Sequence, residues 1–171
     1  MTKVNFSATR ERAEEQGLLG GGSYYNKTLK NGDNRFRLVS ECLEHPGNYN
    51  GKPTFKWLCL VLDRADGQVK PYFMPNTVYE EIEALQLNPE YAFDEVPMPY
   101  DLTLNIKGVK TKDVVYKVIP ARTPTPLTPE ELALIKDAKT IQDVQRDFQK
   151  ADAERASGTA QDPTITVDMP A

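Results

Sequence analysis

Histidine is almost missing from this chain of 171 residues, and cysteine is scarce: His45, Cys42 and Cys59 are the whole supply. With one histidine, general-base chemistry would fall to carboxylates or lysines. Two cysteines with no Cys-x-x-Cys spacing build no disulfide framework and read as reduced core thiols. Cys42, His45 and Cys59 make three zinc ligands with no second pair, a poor set for a structural zinc. No Gly-x-Ser-x-Gly, Walker loop, His-Glu-x-x-His or dinucleotide fingerprint occurs in the sequence. The expectation is a non-catalytic protein with no metal and no cofactor. No apolar run approaches the ~18 residues of a membrane span. The stretch MTKVNFSATRERAEEQ has no apolar h-region, so no secretory signal is expected.

What is present suffices for one domain with appendages, since 39% of the residues are hydrophobic. Residues 1–23 read as a flexible arm ending in Gly20-Gly21-Gly22. The next segment, 24–122, carries the strand signals. Asn31-Gly32 marks a turn, and Arg35–Leu43 alternates as a first strand. His45–Pro53 is rich in turn formers and reads as a loop. TFKWLCLVLD, Thr54–Asp63, is a second strand with apolar residues on both faces. Asp66-Gly67 turns the chain into a third strand, QVKPYFM, whose Pro71 suggests an edge or a bulge.

Helical spacing of Val78, Ile82 and Leu85 after Asn76 predicts a helix ending near Leu87. YDLTLNIK, Tyr100–Lys107, and DVVYKVIP, Asp113–Pro120, are the fourth and fifth strands. A proline-rich linker and two helices occupy 123–156. The first helix opens on a Thr128-x-x-Glu131 capping box with Pro129 inside it. The second carries a narrow stripe of Ile141, Val144 and Phe148, suited to docking. Residues 157–171 read as a disordered polar tail.

Three strands, a helix and two strands is the order of the OB-fold. The expected class is therefore mainly β: a five-stranded Greek-key barrel with a helix between strands three and four, plus C-terminal helices. A five-stranded sheet with the helix on one face is the rival. An OB barrel binds on the face of strands two and three, rimmed by two loops. Those positions hold Tyr49 and Lys52 in one loop and Lys107, Lys110 and Lys112 at the other. Lys56, Trp57, Lys70, Tyr72 and Phe73 lie on the strands between. Arg35 and Arg37, with Cα atoms roughly 6.6 Å apart, flank Phe36 at the start of the first strand. Phe36 and Leu38 are expected in the core and both arginines outside it, at the mouth of a groove. Rings among cations suit a single nucleic-acid strand, whose bases stack while its phosphates are neutralised.

The chain as a whole has a net charge of −4, but the charges are segregated. Residues 76–101 hold seven acids and no lysine or arginine. The remainder of 24–122 holds 13 basic and six acidic residues, and 123–171 holds five basic and nine acidic.

GDNRFRLVSE, FKWLCLVLDRADGQVKPYFMP, YDLTLNIKG and VVYKVIP together resemble the single-stranded DNA-binding proteins of tailed bacteriophages. The resemblance spans roughly Leu29 to Pro120. It implies an OB-fold that coats single-stranded DNA during phage replication, recombination or repair, in the cytoplasm of the infected bacterium. Family members often carry an acidic C-terminal tail that recruits replication proteins or competes with DNA. DPTITVDMPA, with only Asp162 and Asp168, departs from that pattern. Double-stranded DNA and RNA stay open as ligands. The alternatives are an interaction module binding a replisome or host protein through its groove, arm or C-terminal helices, and a carboxylate-metal nuclease built on Asp63, Asp66 or Asp101.

Overall fold

The computed structural model describes residues 5–6 and 24–157. Apart from 5, 6 and 157, the expected arm and tail lie outside the described residues. The described residues form an open antiparallel sheet of six strands: β1 Gly32–Leu38, β2 Leu43–Tyr49, β3 Lys52–Asp63, β4 Gln68–Met74, β5 Leu102–Lys107 and β6 Val115–Pro120. Helix α1, Asn76–Leu87, lies between β4 and β5, and α2, Pro129–Asp137, and α3, Ile141–Ser157, follow the sheet. The strand path is β2-β3-β1-β5-β6, with β4 paired to β3.

There are six strands, not five, because His45–Pro53 is not a loop. Asn50 and Gly51 both adopt positive φ, 51° and 79°, as the tightest right-twisted hairpin turn requires. That turn folds β2 back on β3 in register from Leu43 opposite Leu58 to Tyr49 opposite Lys52. Pro46 is tolerated because β2 ends the strand path and needs no second partner. The other Asn-Gly pair makes no hairpin: Gly32, φ 92°, opens β1, and Asn31 Oδ1 accepts a hydrogen bond from Val109 N at 2.8 Å.

β1 and β2 line one edge of β3 and act as a single strand broken at residues 39–42. Across the break, Val39 N donates to Leu60 O at 3.0 Å. Leu60 N donates to Ser40 Oγ at 2.7 Å, so a hydroxyl stands in for a strand carbonyl.

The doubly apolar character of β3 appears as two cores. On one face Cys59 and Val61 join Phe36, Leu38, Tyr72, Met74, Leu102, Leu104, Ile106 and Val118, with Val78 and Ile82 of α1 packed among them. On the other, Leu58, Leu60 and Leu62 pack with Val39 and Ile141 and are bordered by Leu127, Ile135, Val144 and Phe148. The C-terminal helices are therefore layered on the sheet and share its second core. The expected capping box is present on α2: Glu131 N donates to Thr128 Oγ1 at 3.1 Å, and Thr128 N to Glu131 Oε1 at 2.9 Å.

Ile141, 4% exposed, is the α3 residue most deeply placed in that second core. Ile141→Ala should lower the unfolding free energy by about 2–5 kcal/mol, read from the urea midpoint. A loss within about 0.5 kcal/mol would show that the helices are not part of the cooperative unit.

Candidate nucleic-acid interface

Strands β1, β5 and β6 present one face to the first core and the other to solvent. Leu102, Leu104 and Ile106 alternate with Thr103, Asn105 and Lys107, and only the first set is buried. Residues directly opposed across strands share a face. Arg35 is opposite Thr103, which is opposite Ile119; Asp33 is opposite Asn105, which is opposite Lys117; Lys107 is opposite Val115. The outer face of three strands thus carries Arg35, Lys107 and Lys117, all exposed, with Asp33 on β1 and Asp101, paired with Arg35, just before β5. Asp33 Oδ1 is engaged by Asn105 Nδ2 at 2.8 Å. The β5–β6 connection adds exposed Lys110 and Lys112 at the end of this face, and the Val109–Asn31 hydrogen bond ties it to the start of β1. Alternate residues on a strand lie ~6.6 Å apart and neighbouring strands ~4.8 Å apart, a spacing comparable to successive phosphates of an extended strand.

Four expected contact residues are withdrawn from solvent. Arg37 is 1% exposed, which corrects the expectation that both arginines lie free outside the core. It points to the outer face, but Asp101 and the segment before β5 cover it there. Its Nε donates to Asp101 Oδ1 at 2.8 Å and its Nη1 to Met98 O at 3.2 Å. Tyr72 is fully buried because it pairs with the inward Cys59, so it is a core residue and not a stacking platform. Lys70 shares that inward face and is 9% exposed. Its Nζ bridges Asp63 at 2.8 Å and Asp66 at 2.6 Å. Burial pushes that ammonium down, and its hydrogen bonds to the two carboxylates outweigh the burial and raise it overall. Phe73 is on the opposite face, half-buried, with its ring edge-on to Phe148 of α3 at 4.9 Å.

Exposed residues of the expected set also include Lys52 and Lys56 on the β2–β3 hairpin. Tyr49 ends β2, paired with Lys52. Trp57 is half-buried. Its ring stacks on Tyr79 of α1 at 4.0 Å and 11°, meets Phe55 edge-on at 5.0 Å, and donates from Nε1 to Asn76 Oδ1 at 3.0 Å. By alternation Phe55 and Trp57 lie on one face of the hairpin and Lys52 and Lys56 on the other. Glu44 is opposite Trp57. Burial first, then Cys42, Glu83 and Glu44, raise the Tyr79 hydroxyl pKa. The aromatic cluster therefore has acids beside it, and the cationic face lies at the far end of β3.

Sequence reasoning missed Lys117, Arg64 and Tyr79. Lys117 was detectable, since VYKVIP alternates and puts it outward with Val115 and Ile119. Arg64 and Tyr79 had no such signal, because each is placed by a partner far away in the chain. The carboxylates considered for metal chemistry are held by cations: Asp63 and Asp66 by Lys70, and Asp101 by Arg35, Arg37 and Arg64. His45 packs against Phe73, toward the second core, whereas Cys42 and Cys59 meet at the first core, so the histidine lies on the opposite side of the sheet from the two thiols.

No protein-family model, no curated protein and no solved structure matches this chain. Among the described residues, no helix is long and apolar enough to cross a membrane.

Burial raises the Asp101 carboxyl, but hydrogen bonds from Arg37 and Arg64 outweigh it and hold the group below its ordinary value of 3.8. A depressed folded value means stabilisation that is complete above the unfolded value and lost as pH falls through and below 3.8. Asp101→Asn should cost about 3–5 kcal/mol by leaving Arg37 buried without its anion. Urea unfolding of this variant should also lose part of the wild-type decline between pH 5 and pH 3. An unchanged acid limb would remove Asp101 from this role.

Proposed function

We propose that this chain is a non-catalytic single-stranded DNA-binding protein of the tailed-phage type, acting in the cytoplasm of the infected bacterium. The observation that carries the reading is the solvent-facing side of β1, β5 and β6, where Arg35, Lys107 and Lys117, with Lys110 and Lys112 of the connection, outnumber three acids: Asp33, engaged by Asn105, Asp101, paired with Arg35, and exposed Asp113. A single strand laid across it would release counterions at each phosphate contact, with no demand for base sequence. Phe55 and Trp57 at the hairpin offer rings for stacking at the other end of the sheet.

The strand order supports the finer fold reading. Counting β1 and β2 as one broken strand leaves five, with pairings one-two, two-three, one-four and four-five and a helix between three and four. Those are OB-fold pairings, with the sheet open between β4 and β6. The usual OB ligand face on strands two and three carries α2 and α3 here, which shifts the expected DNA contacts toward β5 and β6.

Titration with a dT oligonucleotide should quench Trp57, the single tryptophan, with an affinity that falls steeply as salt rises. The double variant Lys107→Glu/Lys117→Glu should weaken binding and flatten the log–log salt slope by about 0.7 per lost contact. Neither quenching nor a mobility shift at low salt would overturn the reading.

A second reading, a protein-interaction module, is favoured by one feature. A cavity of about 330 Å³ between α1 and residues 93–96 has a floor of Leu38, Tyr79 and Ile82 and a rim of Glu41, Glu83, Asp94 and Glu95. It suits a basic, partly apolar segment of a partner protein. Glu83→Lys/Glu95→Lys should then abolish partner capture and leave DNA affinity no weaker.

A further inference from the structure

Three guanidinium groups converge on the outer side of the sheet with too few carboxylates to balance them. Arg35 Nη2 donates to Asp101 Oδ2 at 3.0 Å, Arg37 Nε to Oδ1 at 2.8 Å and Arg64 Nε to Oδ2 at 3.1 Å. The second anion is Glu131, whose Oε2 accepts from Arg64 Nη1. Three positive charges thus meet two negative ones. Arg37 Nη2 is buried with no hydrogen-bond partner among the described residues.

The two acids are held very differently. Asp101 immediately precedes β5, and its carbonyl accepts from Ala121 N at 3.0 Å, so its backbone is anchored at the end of the β5–β6 pair. Glu131 belongs to the first turn of α2, a nine-residue helix with no buried residue of its own. Leu132 and Leu134 of that helix are 49% and 40% exposed. Little apolar burial holds α2 down, so its attachment leans on the Arg64–Glu131 pair and on the half-buried Ile135.

Position links this cluster to the proposed DNA face. Arg64 N donates to Arg35 O at 3.1 Å, so Arg64 is adjacent to Arg35, whose side chain is 62% exposed. A guanidinium fork accepts a carboxylate or a phosphate with the same geometry.

We propose that Arg64, backed by Arg35 and Arg37, is a binding site for a phosphodiester oxyanion, and that Glu131 holds that position when no nucleic acid is bound. The inference rests on the single-stranded DNA reading and deepens it: it names one phosphate contact and the side chain that competes for it. When Glu131 yields, the cationic face extends from Lys117 through Arg35 to Arg64.

The test uses the full chain, a dT oligonucleotide and a sodium chloride series. Glu131→Gln removes the charge but keeps the helix cap, since glutamine serves equally in a capping box; thermal melts confirm that the fold is retained. It should bind at least about threefold more tightly at low salt, with a log–log slope steeper by about 0.7, the signature of one added phosphate contact on a single strand. Glu130→Gln makes the same change of net charge one residue away and should not reproduce the gain. Glu131→Gln/Arg64→Gln should lose it. The inference is overturned if Glu131→Gln behaves like the wild type or like Glu130→Gln, or if the double variant keeps the tighter binding. Those outcomes, with the wild type binding DNA, leave the broader reading intact. If wild type and Glu131→Gln both ignore the oligonucleotide at low salt, the DNA reading fails and takes this inference with it.

Discussion

Leu58, Leu60 and Leu62 leave β3 on one side, Cys59 and Val61 on the other, and neither set reaches solvent beyond a few per cent. Such a strand has to be covered twice, because each buried leucine is worth about 1.5–3 kcal/mol of transfer free energy. The two coverings organise the molecule. On one side β1, β4, β5, β6 and α1 close over Cys59 and Val61. On the other, the chain after β6 returns through Leu127 to lay α2 and α3 across the leucines. The same strand supplies backbone partners to β1, β2 and β4, so its loss would remove both cores and three of the sheet's pairings.

That double covering also decides which sheet faces the helices occupy. The face of β3 and β4 is taken by the chain's own helices, while among the described residues no helix covers the outer face of β1, β5 and β6. The charge pattern follows the same division. The segment from α1 to Asp101, which is acidic, lines the cavity rim on one side. The lysines of β5, β6 and their connection lie on the other. Asp101 links the two regions, because this one carboxylate gathers Arg35 and Arg37 from β1 and Arg64 from just after β3. It replaces solvent for a guanidinium that the fold would otherwise bury at high cost.

The burial of Arg37 also shows why an alternation argument reaches only part of a site. Alternation correctly put Phe36 and Leu38 inward and both arginines outward. It cannot say whether an outward side chain meets water or another segment, since that depends on residues more than sixty positions away. Lys70 and Tyr72 failed as contact residues for a related reason. They do share a face, as the pattern implied, but the strand pairing turns that face inward. Lys107, Lys110, Lys112 and Arg35 stayed exposed because, among the described residues, no helix covers the outer face of β5 and β6.

By itself the sequence determined the strand and helix order from β3 to α3, the Thr128 capping box and the two-faced burial of β3. Each of these depends on neighbours a few residues apart, through pleat, helical period or a local hydrogen bond. Local chemistry also held the Asn50-Gly51 hairpin, although the turn formers around it read more readily as a loop. Only the tertiary structure decided which sheet face stayed open, that Arg37 is locked to Asp101, and that Glu131 reaches Arg64. Those outcomes depend on contacts between distant segments, whose meeting is set by how the whole chain buries its apolar surface.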